Sequence, residues 1–337
     1  MTGIYVICFI VFPAAVVINA HKVHSANEFL DRQDANVVKG IATCFVILAH
    51  LMNYLQSNIG YNSFLNVFSV MGGMGVLLFF FVSGYGLYKN YRTKAIDITF
   101  WKKRLMNMYF PCIAMQLLFY LIETGIYQTF NIFDMIFNSL FGAWFVDVIL
   151  VQYFIFFVSS KIAKGNSTVW IVLSFANSMM IALVFGLGGL NARWYNGLLL
   201  FPFGMLIAYK EEKIAALVER KWSLFLGASA MLFVVSGLIF TYFKGIIGGI
   251  DITKTFSGMC LSVLVCIVFL RFKFCSPIML YMGKRSLYFY LVHINLLSIM
   301  QTIGKIKGIY VFYLVLISTF LIVEFFYCLH LGGRKVT

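Results

Sequence analysis

Residues 37–55 read VVKGIATCFVILAHLMNYL, an apolar run long enough to cross a bilayer as one helix. The run contains His50, and an ionisable imidazole is costly in the membrane interior, so His50 is a candidate functional residue. Lys39 precedes it by eleven positions, and eleven helical steps return almost to the same helix face, roughly 17 Å away along the axis. The helix therefore directs one cation at the membrane edge and one titratable base deeper inside to the same side.

The rest of the chain has the same apolar character. Hydrophobic residues make up 62% of its 337 residues and charged residues 11%, whereas soluble domains carry about a quarter charged residues. Its apolar runs lack the period-2 alternation of a β-barrel. The expected fold class is all-α, a polytopic transmembrane helical bundle of about 10–11 spans with no soluble domain. The expected spans are residues 4–20, 37–56, 67–88, 105–125, 144–160, 168–187, 194–209, 222–243, 255–271, 286–301 and 309–330.

We expect one membrane domain, formed by residues 37–330. Residues 1–36 are expected to add an N-terminal transmembrane helix and a loop, and residues 331–337 a cytoplasmic tail. The longest stretch outside the spans, about 126–143, is too short to fold as a soluble domain. No internal repeat is evident, which argues against a transporter built from inverted repeats.

The distribution of Lys and Arg predicts the orientation in the membrane. Basic residues are enriched in cytoplasmic loops, and most of the 26 Lys and Arg residues fall in loops on one side. The exceptions are Arg193, Lys244, Lys254, Lys305 and Lys307. The N-terminus is therefore expected outside and the C-terminus inside. The net charge of +14 is then a topological signal, and nucleic-acid binding is not expected.

The seven cysteines lie within or beside apolar spans and form no CxxC pair. We interpret them as small packing residues, and we expect neither a disulfide framework nor a metal site.

Five sequence patterns occur in a defined order. Residues 38–42 read VKGIA and precede His50, and residues 75–85 read GVLLFFFVSGY. Residues 100–104 read FWKKR and lead to Pro111, residues 142–145 read GAWF, and residues 281–293 read YMGKRSLYFYLVH. In this order and spacing the chain, from residue 36 to about 300, resembles the acyltransferase 3 family. It departs from the family pattern at Lys39, where Arg is usual, and at Met108, where a second Arg is expected before Pro111.

The resemblance implies a membrane-embedded acyltransferase of the O-acetyltransferase type. The expected donor is cytoplasmic acyl-coenzyme A, acetyl-CoA above all, and the expected acceptor is a hydroxyl of a cell-surface or lipid-linked glycan. The expected location is the bacterial cytoplasmic (inner) membrane, in contact with its lipids. A separate extracytoplasmic protein is a further possible acceptor of the acyl group.

The imidazole of His50 is the expected catalytic group, either as the base that removes the hydroxyl proton or as a nucleophile that carries the acyl group. Asp147 and Glu123 are the candidate acids that orient it, since both lie near the outer ends of their helices. Phosphate contacts are expected from a set of basic residues. That set is Lys39, Arg92, Lys102, Lys103 and Arg104.

The acceptor is expected to contact Trp144, Tyr288, His293 and Arg193. Arg193 and its aromatic neighbours also suit a membrane-interface belt, and Glu324 is expected to form a packing ion pair. Two other functions fit the same hydropathy. One is acyl transfer to an amine or a small molecule, and the other is a multi-pass transporter or flippase for a glycan intermediate.

Overall fold

The computed structural model describes residues 2–23, 28–60, 62–242, 246–247, 250–303 and 308–334. In these residues the chain forms a bundle of thirteen helices and two short antiparallel strand pairs. Two helices, α1 and α4, contain an internal π-helical turn. The all-α fold class expected from the composition is confirmed.

The helices follow one another along the whole chain. Helix α1 comprises Thr2–Val6, Ile7–Val11 and Phe12–Val17, and α4 comprises Ile98–Arg104, Leu105–Tyr109 and Phe110–Tyr127. The others are α2 (Arg32–Ile59), α3 (Ser63–Tyr91), α5 (Ile132–Phe141), α6 (Trp144–Ala163), α7 (Ser167–Leu187), α8 (Leu200–Arg220), α9 (Trp222–Tyr242), α10 (Ile252–Arg271), α11 (Pro277–Lys284), α12 (Ser286–Ile303) and α13 (Gly308–Arg334). The strands are β1 (Ala20–Lys22), β2 (Ile246–Ile247), β3 (Ile250–Asp251) and β4 (Phe272–Phe274).

Each expected span corresponds to one of these helices. Within the described residues, eight helices are long and apolar enough to cross a membrane, namely α2, α3, α4, α6, α7, α9, α10 and α13. The other three expected spans fall on α1, α8 and α12. Helix α1 is shorter, and α8 begins at Leu200 rather than at residue 194, because a 3-10 turn occupies Ala192–Trp194. Of the expected tail, residues 331–334 continue α13, and residues 335–337 lie outside the described residues.

Two short helices were not expected from the apolar runs. One is α11, and the other is α5, which lies in the stretch between the spans. Asn131 starts α5 because its side chain accepts hydrogen bonds from the backbone of Phe133 and Asp134. Tyr120 of α4 bonds the backbone of Asn131, and the Tyr109 hydroxyl lies 3.5 Å from the carbonyl oxygen of Leu140. Helix α5 therefore runs back along α4 and ends beside its middle.

Helix α2 begins at Arg32, five residues before the expected span. Asp31 and Asp34 form a reciprocal capping box there, in which each carboxylate accepts from the other residue's backbone N–H. The first turn is polar, so a hydropathy pattern does not reveal it. Consequently the helix that carries His50 extends beyond its apolar run into the basic side of the bundle.

Glycines allow α2 and α3 to pack closely against their neighbours. A Cβ atom on Gly40 would collide with the backbone carbonyl of Met279 in α11. Likewise, a Cβ atom on Gly84 of α3 would collide with the carbonyl of Phe201 in α8. Both glycines belong to the patterns noted in the sequence, which shows why those positions need small residues.

Helix α1 is tied to the bundle at both ends. At its start the Tyr5 hydroxyl accepts a 2.8 Å hydrogen bond from the amide of Asn62. After its end, β1 pairs antiparallel with β4, with His21 opposite Lys273. In addition, the Ser276 hydroxyl donates to the carbonyl oxygen of Ala15. The N-terminal segment is therefore attached to the loop that precedes α11.

We predict that Gly40→Ala destabilises the protein by about 1–3 kcal/mol, because the added methyl group overpacks the crossing of α2 and α11. The measurement is thermal unfolding of the purified protein in detergent. Gly227→Ala in α9 is the control, since nothing lies within 4 Å of a Cβ atom there, and it should unfold at the wild-type temperature or slightly above. Equal unfolding temperatures for the two variants would contradict the close crossing.

Candidate active site

Two histidines from different helices face each other inside the bundle. The ring centroids of His50 in α2 and His293 in α12 are 5.3 Å apart. His293 is only 1% exposed, whereas His50 is half-buried. The sequence identified both residues, but it did not predict that they would be neighbours.

The hydrogen bond of His293 determines which of its nitrogens is reactive. Its Nδ1 atom lies 2.6 Å from the carbonyl oxygen of Phe289. A carbonyl can only accept, so Nδ1 carries the proton, and in the neutral ring Nε2 has the lone pair. Nε2 is buried and has no hydrogen-bond partner among the described residues. The pair therefore contains an imidazole nitrogen that is available to accept a hydrogen bond.

Aromatic rings connect the histidine pair to the start of α6. The ring of Tyr290 lies 6.2 Å from that of His293 and 5.4 Å from that of Phe145. Trp144 stands beside Phe145, with its ring centroid 6.1 Å away. Ala143, in the short connection between α5 and α6, is buried. This placement puts Trp144, an expected acceptor contact, near the pair but not in direct contact with it.

The candidate acids are Glu123 and Asp147. Ser298 of α12 donates a 3.2 Å hydrogen bond to Glu123. The Oδ2 atom of Asp147 is buried without a hydrogen-bond partner in the described part of the chain. Neither carboxylate is hydrogen-bonded to His50. Their roles as partner acids remain predictions, and the group that the structure sets against His50 is His293.

A cleft of about 1300 Å³ opens on the side of the bundle that carries most of the basic residues. Its walls come from the segment before α2 and from α2, α3, α4, α11, α12 and α13. Tyr288 of α12 lines the cleft, and His293 lies five residues further along the same helix, which is about 7.5 Å. Likewise, Lys39 lines the cleft on α2, the helix that carries His50 further along. The cleft thus shares two of its helices with the histidine pair, although neither histidine is part of its lining.

Positive charge dominates the cleft wall. Its basic residues are Arg32, Lys39, Lys89, Arg104 and Lys284. Among the described residues only Lys89 of these has a carboxylate oxygen within 4.0 Å. The guanidinium of Arg104 lies over the rings of Phe100 and Tyr153, at 4.4 and 5.4 Å. Four cations that share one cleft without a carboxylate partner favour an anionic ligand.

The expected phosphate-binding residues separate into two groups. Lys39 and Arg104 line the cleft, whereas Arg92, Lys102 and Lys103 are exposed and lie outside its lining. Arg32 and Lys284, which also line it, had been counted only as loop charges that indicate topology. Among the expected acceptor contacts, Tyr288 lines the cleft and packs 6.1 Å from the ring of Tyr327, and Arg193 is exposed in the 3-10 turn.

The acidic residues of the cleft wall are Glu28 and Asp31. Lys273 forms ion pairs with Asp31 and Asp34. Burial opposes ionisation of Lys273, but the hydrogen bond and charge of Asp34 and the charge of Asp31 raise its pKa above the usual value. Partial burial also opposes ionisation of Asp31, yet the backbone N–H of Asp34 and the ammonium of Lys273 lower the pKa of that carboxyl. Both groups therefore remain charged at neutral pH.

Glu211 of α8 is a buried residue that the sequence reading missed. Its carboxylate accepts hydrogen bonds from the Tyr85 hydroxyl and from the backbone N–H of Phe29, the latter at 2.7 Å. It also lies 3.0 Å from the ammonium of Lys89. The signal was available, because Glu211 shares a helix face with the buried Ala208 and Ala215.

An ion pair supports the opposite wall. Glu324 of α13 contacts the guanidinium of Arg285 at 3.1 Å, as expected for a packing ion pair, and it accepts a 2.6 Å hydrogen bond from Tyr281. The guanidinium lies 4.0 Å from the ring centroids of Tyr281 and Tyr327. This contact holds the ring of Tyr327 in the cleft wall.

The membrane-spanning helices enclose a cationic cleft, and a pair of imidazoles lies beyond it. A membrane protein with this arrangement is equipped for acid–base or acyl-transfer chemistry. The chain belongs to the acyltransferase 3 family, whose family model, described as an acyltransferase domain, matches residues 32–328. No curated protein and no solved structure matches the chain. The protein is therefore a membrane acyltransferase, and the matched range includes both histidines.

We predict that Glu211→Gln lowers the stability by about 1.5–3 kcal/mol, because the amide keeps the acceptor for Phe29 but loses the charge that faces Lys89. Thermal unfolding in detergent measures the effect. Glu212→Gln removes the same charge from the next residue, which is exposed, and should leave the unfolding temperature nearly unchanged. A Glu211→Gln variant as stable as Glu212→Gln would show that the network contributes nothing.

Proposed function

We propose that the protein transfers an acyl group, acetyl in our proposal, from acyl-coenzyme A to a hydroxyl of a cell-surface or lipid-linked glycan. The observation that carries the proposal is the cleft whose cations, apart from Lys89, have no carboxylate partner among the described residues. It is lined by α2 and α12, the two helices that carry the histidine pair further along. Coenzyme A presents several phosphate charges, and clustered Arg and Lys side chains are the usual protein groups that bind phosphate.

The charge of the cleft suits the donor. Its phosphates would lie against Arg32, Lys39, Arg104 and Lys284, and its pantetheine arm would extend past Tyr288 along α12. This arrangement would bring the thioester towards His50 and His293. The cleft opens on the basic side of the bundle, which the loop charges assign to the cytoplasm, where acyl-coenzyme A is available.

In the proposed reaction an ester C–O bond forms, the thioester C–S bond breaks, and coenzyme A leaves as a thiolate that takes up the proton. In a direct transfer, the imidazole of His50 removes the proton of the acceptor hydroxyl while the hydroxyl attacks the acyl carbon. In a two-step transfer, the imidazole attacks first, and the hydroxyl then takes the acyl group from it. Mass spectrometry of protein quenched after mixing with donor alone distinguishes the routes, since only the second leaves an acyl group on His50.

We assign His293 the role of positioning His50. Its Nε2 lone pair can accept a hydrogen bond from the N–H of His50, which would leave the other nitrogen of His50 free for the hydroxyl proton. In this arrangement a neutral histidine does what a carboxylate does in hydrolase triads. The bond between His293 and the carbonyl of Phe289 would hold that tautomer in place.

The acceptor would approach from the face opposite the cleft. By the loop charges, α2 and α12 both begin at the cytoplasmic side, so the histidines lie beyond the cleft towards the outer surface. The donor and an extracytoplasmic glycan could then meet without either one crossing the whole bilayer. A separate extracytoplasmic protein that receives the acyl group would use the same geometry.

We predict that His50→Ala lowers the rate of acyl transfer from labelled acetyl-CoA in membranes by about 100-fold or more, because the proton acceptor is lost. His293→Gln should lower kcat and shift the pH–rate profile while leaving the KM for the donor near its wild-type value. The control is His21→Ala, since His21 is exposed on β1. Normal acetylation by His50→Ala, together with failed export of the glycan, would instead favour a transporter.

We predict that Lys39→Gln and Arg104→Gln each raise the KM for acetyl-CoA about tenfold or more, because each removes a charge-assisted contact with phosphate. Lys213→Gln is the control, since Lys213 is an exposed residue of α8 outside the cleft lining. Steady-state kinetics in membrane vesicles measures the effect. The cleft would not be the donor site if the Lys213→Gln variant showed the same increase. Arg92, Lys102 and Lys103 can be tested in the same assay.

A further inference from the structure

The segment just before α2 carries Glu28, whose carboxylate forms an ion pair with Lys89 in the cleft wall. Lys89 of α3 forms ion pairs with both Glu28 and Glu211. The side chain of Lys89 is 22% exposed, and that of Glu28 is 42% exposed. Glu28 and Lys89 both line the cleft, so the pair lies where a ligand of the cleft would contact it.

The two carboxylates differ in how they are held. Glu211 is buried and accepts additional hydrogen bonds from Tyr85 and from the backbone of Phe29. The carboxylate of Glu28, in contrast, bonds only Lys89 among the described residues. One carboxylate is therefore a permanent structural partner of Lys89, and the other can leave without exposing a buried polar group.

The backbone next to Glu28 is firmly anchored. Phe29 and Leu30 are each 2% exposed. Their N–H groups donate to Glu211 and to the Tyr85 hydroxyl, the latter at 3.1 Å. The Glu28 side chain is thus half-exposed, and its backbone is anchored by the neighbouring residues. This anchoring keeps the charge of Glu28 near Lys89 whether or not the ion pair is formed.

We propose that Glu28 is a built-in competitor of the donor's phosphates for Lys89 and thereby sets the affinity and the selectivity of the cleft for polyanionic donors. The proposal rests on the proposed function, because it takes acyl-coenzyme A as the cleft's ligand. When a phosphate oxygen reaches Lys89, the Glu28 carboxylate turns outward, and Glu211 remains in place. Glu28 lies before the matched range of 32–328, whereas Lys89 and Glu211 lie within it.

Glu28 acts by charge, so its effect depends on the charge of the donor. A donor with several phosphate groups meets repulsion from Glu28 and must displace it from Lys89. A donor that consists of the acylated pantetheine arm alone has no phosphate to place against Lys89. Removal of the Glu28 charge should therefore favour the first kind of donor and leave the second unaffected.

The test compares the full-length protein with its Glu28→Gln variant in detergent by isothermal titration calorimetry with coenzyme A. The expected result is about two- to fivefold tighter binding by the variant, the range expected for a partly exposed ion pair. The difference should shrink as salt is added, because ions screen an exposed pair. Glu28→Asp, whose charge is retracted by one methylene, should fall between the two.

Two controls make the outcome specific. Glu212→Gln removes one negative charge from an exposed position outside the cleft lining and should bind coenzyme A like the wild type. Acetyl-pantetheine, which has no phosphate, should react with the wild type and with Glu28→Gln at equal kcat/KM. Unchanged or weaker binding of coenzyme A by Glu28→Gln overturns the proposal, as does an equal gain for acetyl-pantetheine.

Failure of the proposed function gives a different pattern. A wild-type protein that neither binds coenzyme A nor transfers an acyl group from acetyl-CoA would overturn the proposed function, and the role of Glu28 with it. Normal binding and transfer by the wild type, with no difference in Glu28→Gln, would overturn only the role of Glu28.

Discussion

The bilayer core contains no water, so a polar group on one helix must face another polar group or an enclosed space. The pairing of polar side chains between helices follows this constraint. The amide of Asn295 in α12 donates to Gln116 in α4 at 2.6 Å, and Ser298 meets Glu123 on the same pair of helices. The same constraint explains why His50 faces His293 and not an apolar neighbour. Few positions satisfy it, which fixes how α2, α4 and α12 pack against one another.

Much of the fold could be predicted from the sequence because apolar runs of about twenty residues indicate membrane-spanning helices. Each expected span corresponds to a helix. Of the charged residues within the sequence patterns, Lys39, Arg104 and Lys284 line the cleft, whereas Lys102, Lys103 and Arg285 do not. Helix α5 could not be predicted in this way. Its ten residues are too few for a span, and its position depends on contacts with α4 that are distant in sequence.

The adjacency of side chains was harder to predict than the helices themselves. Periodicity shows which residues share a face of one helix, but it does not show which other helix covers that face. The sequence therefore identified His50 and His293 separately and did not show that the two imidazoles lie together. Its pairing of His50 with Asp147 or Glu123 stays a prediction. Glu211 illustrates the opposite case. The spacing of Ala208, Glu211 and Ala215 indicates a buried helix face, and only the charge of Glu211 argued against its burial.

Some cations in and around the cleft have carboxylate partners, and others have none among the described residues. This division explains how the cleft can be structurally stable and still bind an anion. Lys273 is neutralised by Asp31 and Asp34, and Arg285 by Glu324, so these cations hold helices and strands together. The charges of Arg32 and Arg104 repel that of Lys39, and an anion in the cleft would relieve that repulsion. The structural ion pairs connect elements that surround the cleft, and they thereby help to position the cations of its wall. The side chains of the cleft wall are then ordered largely during folding, so the binding of an anion costs little additional conformational entropy.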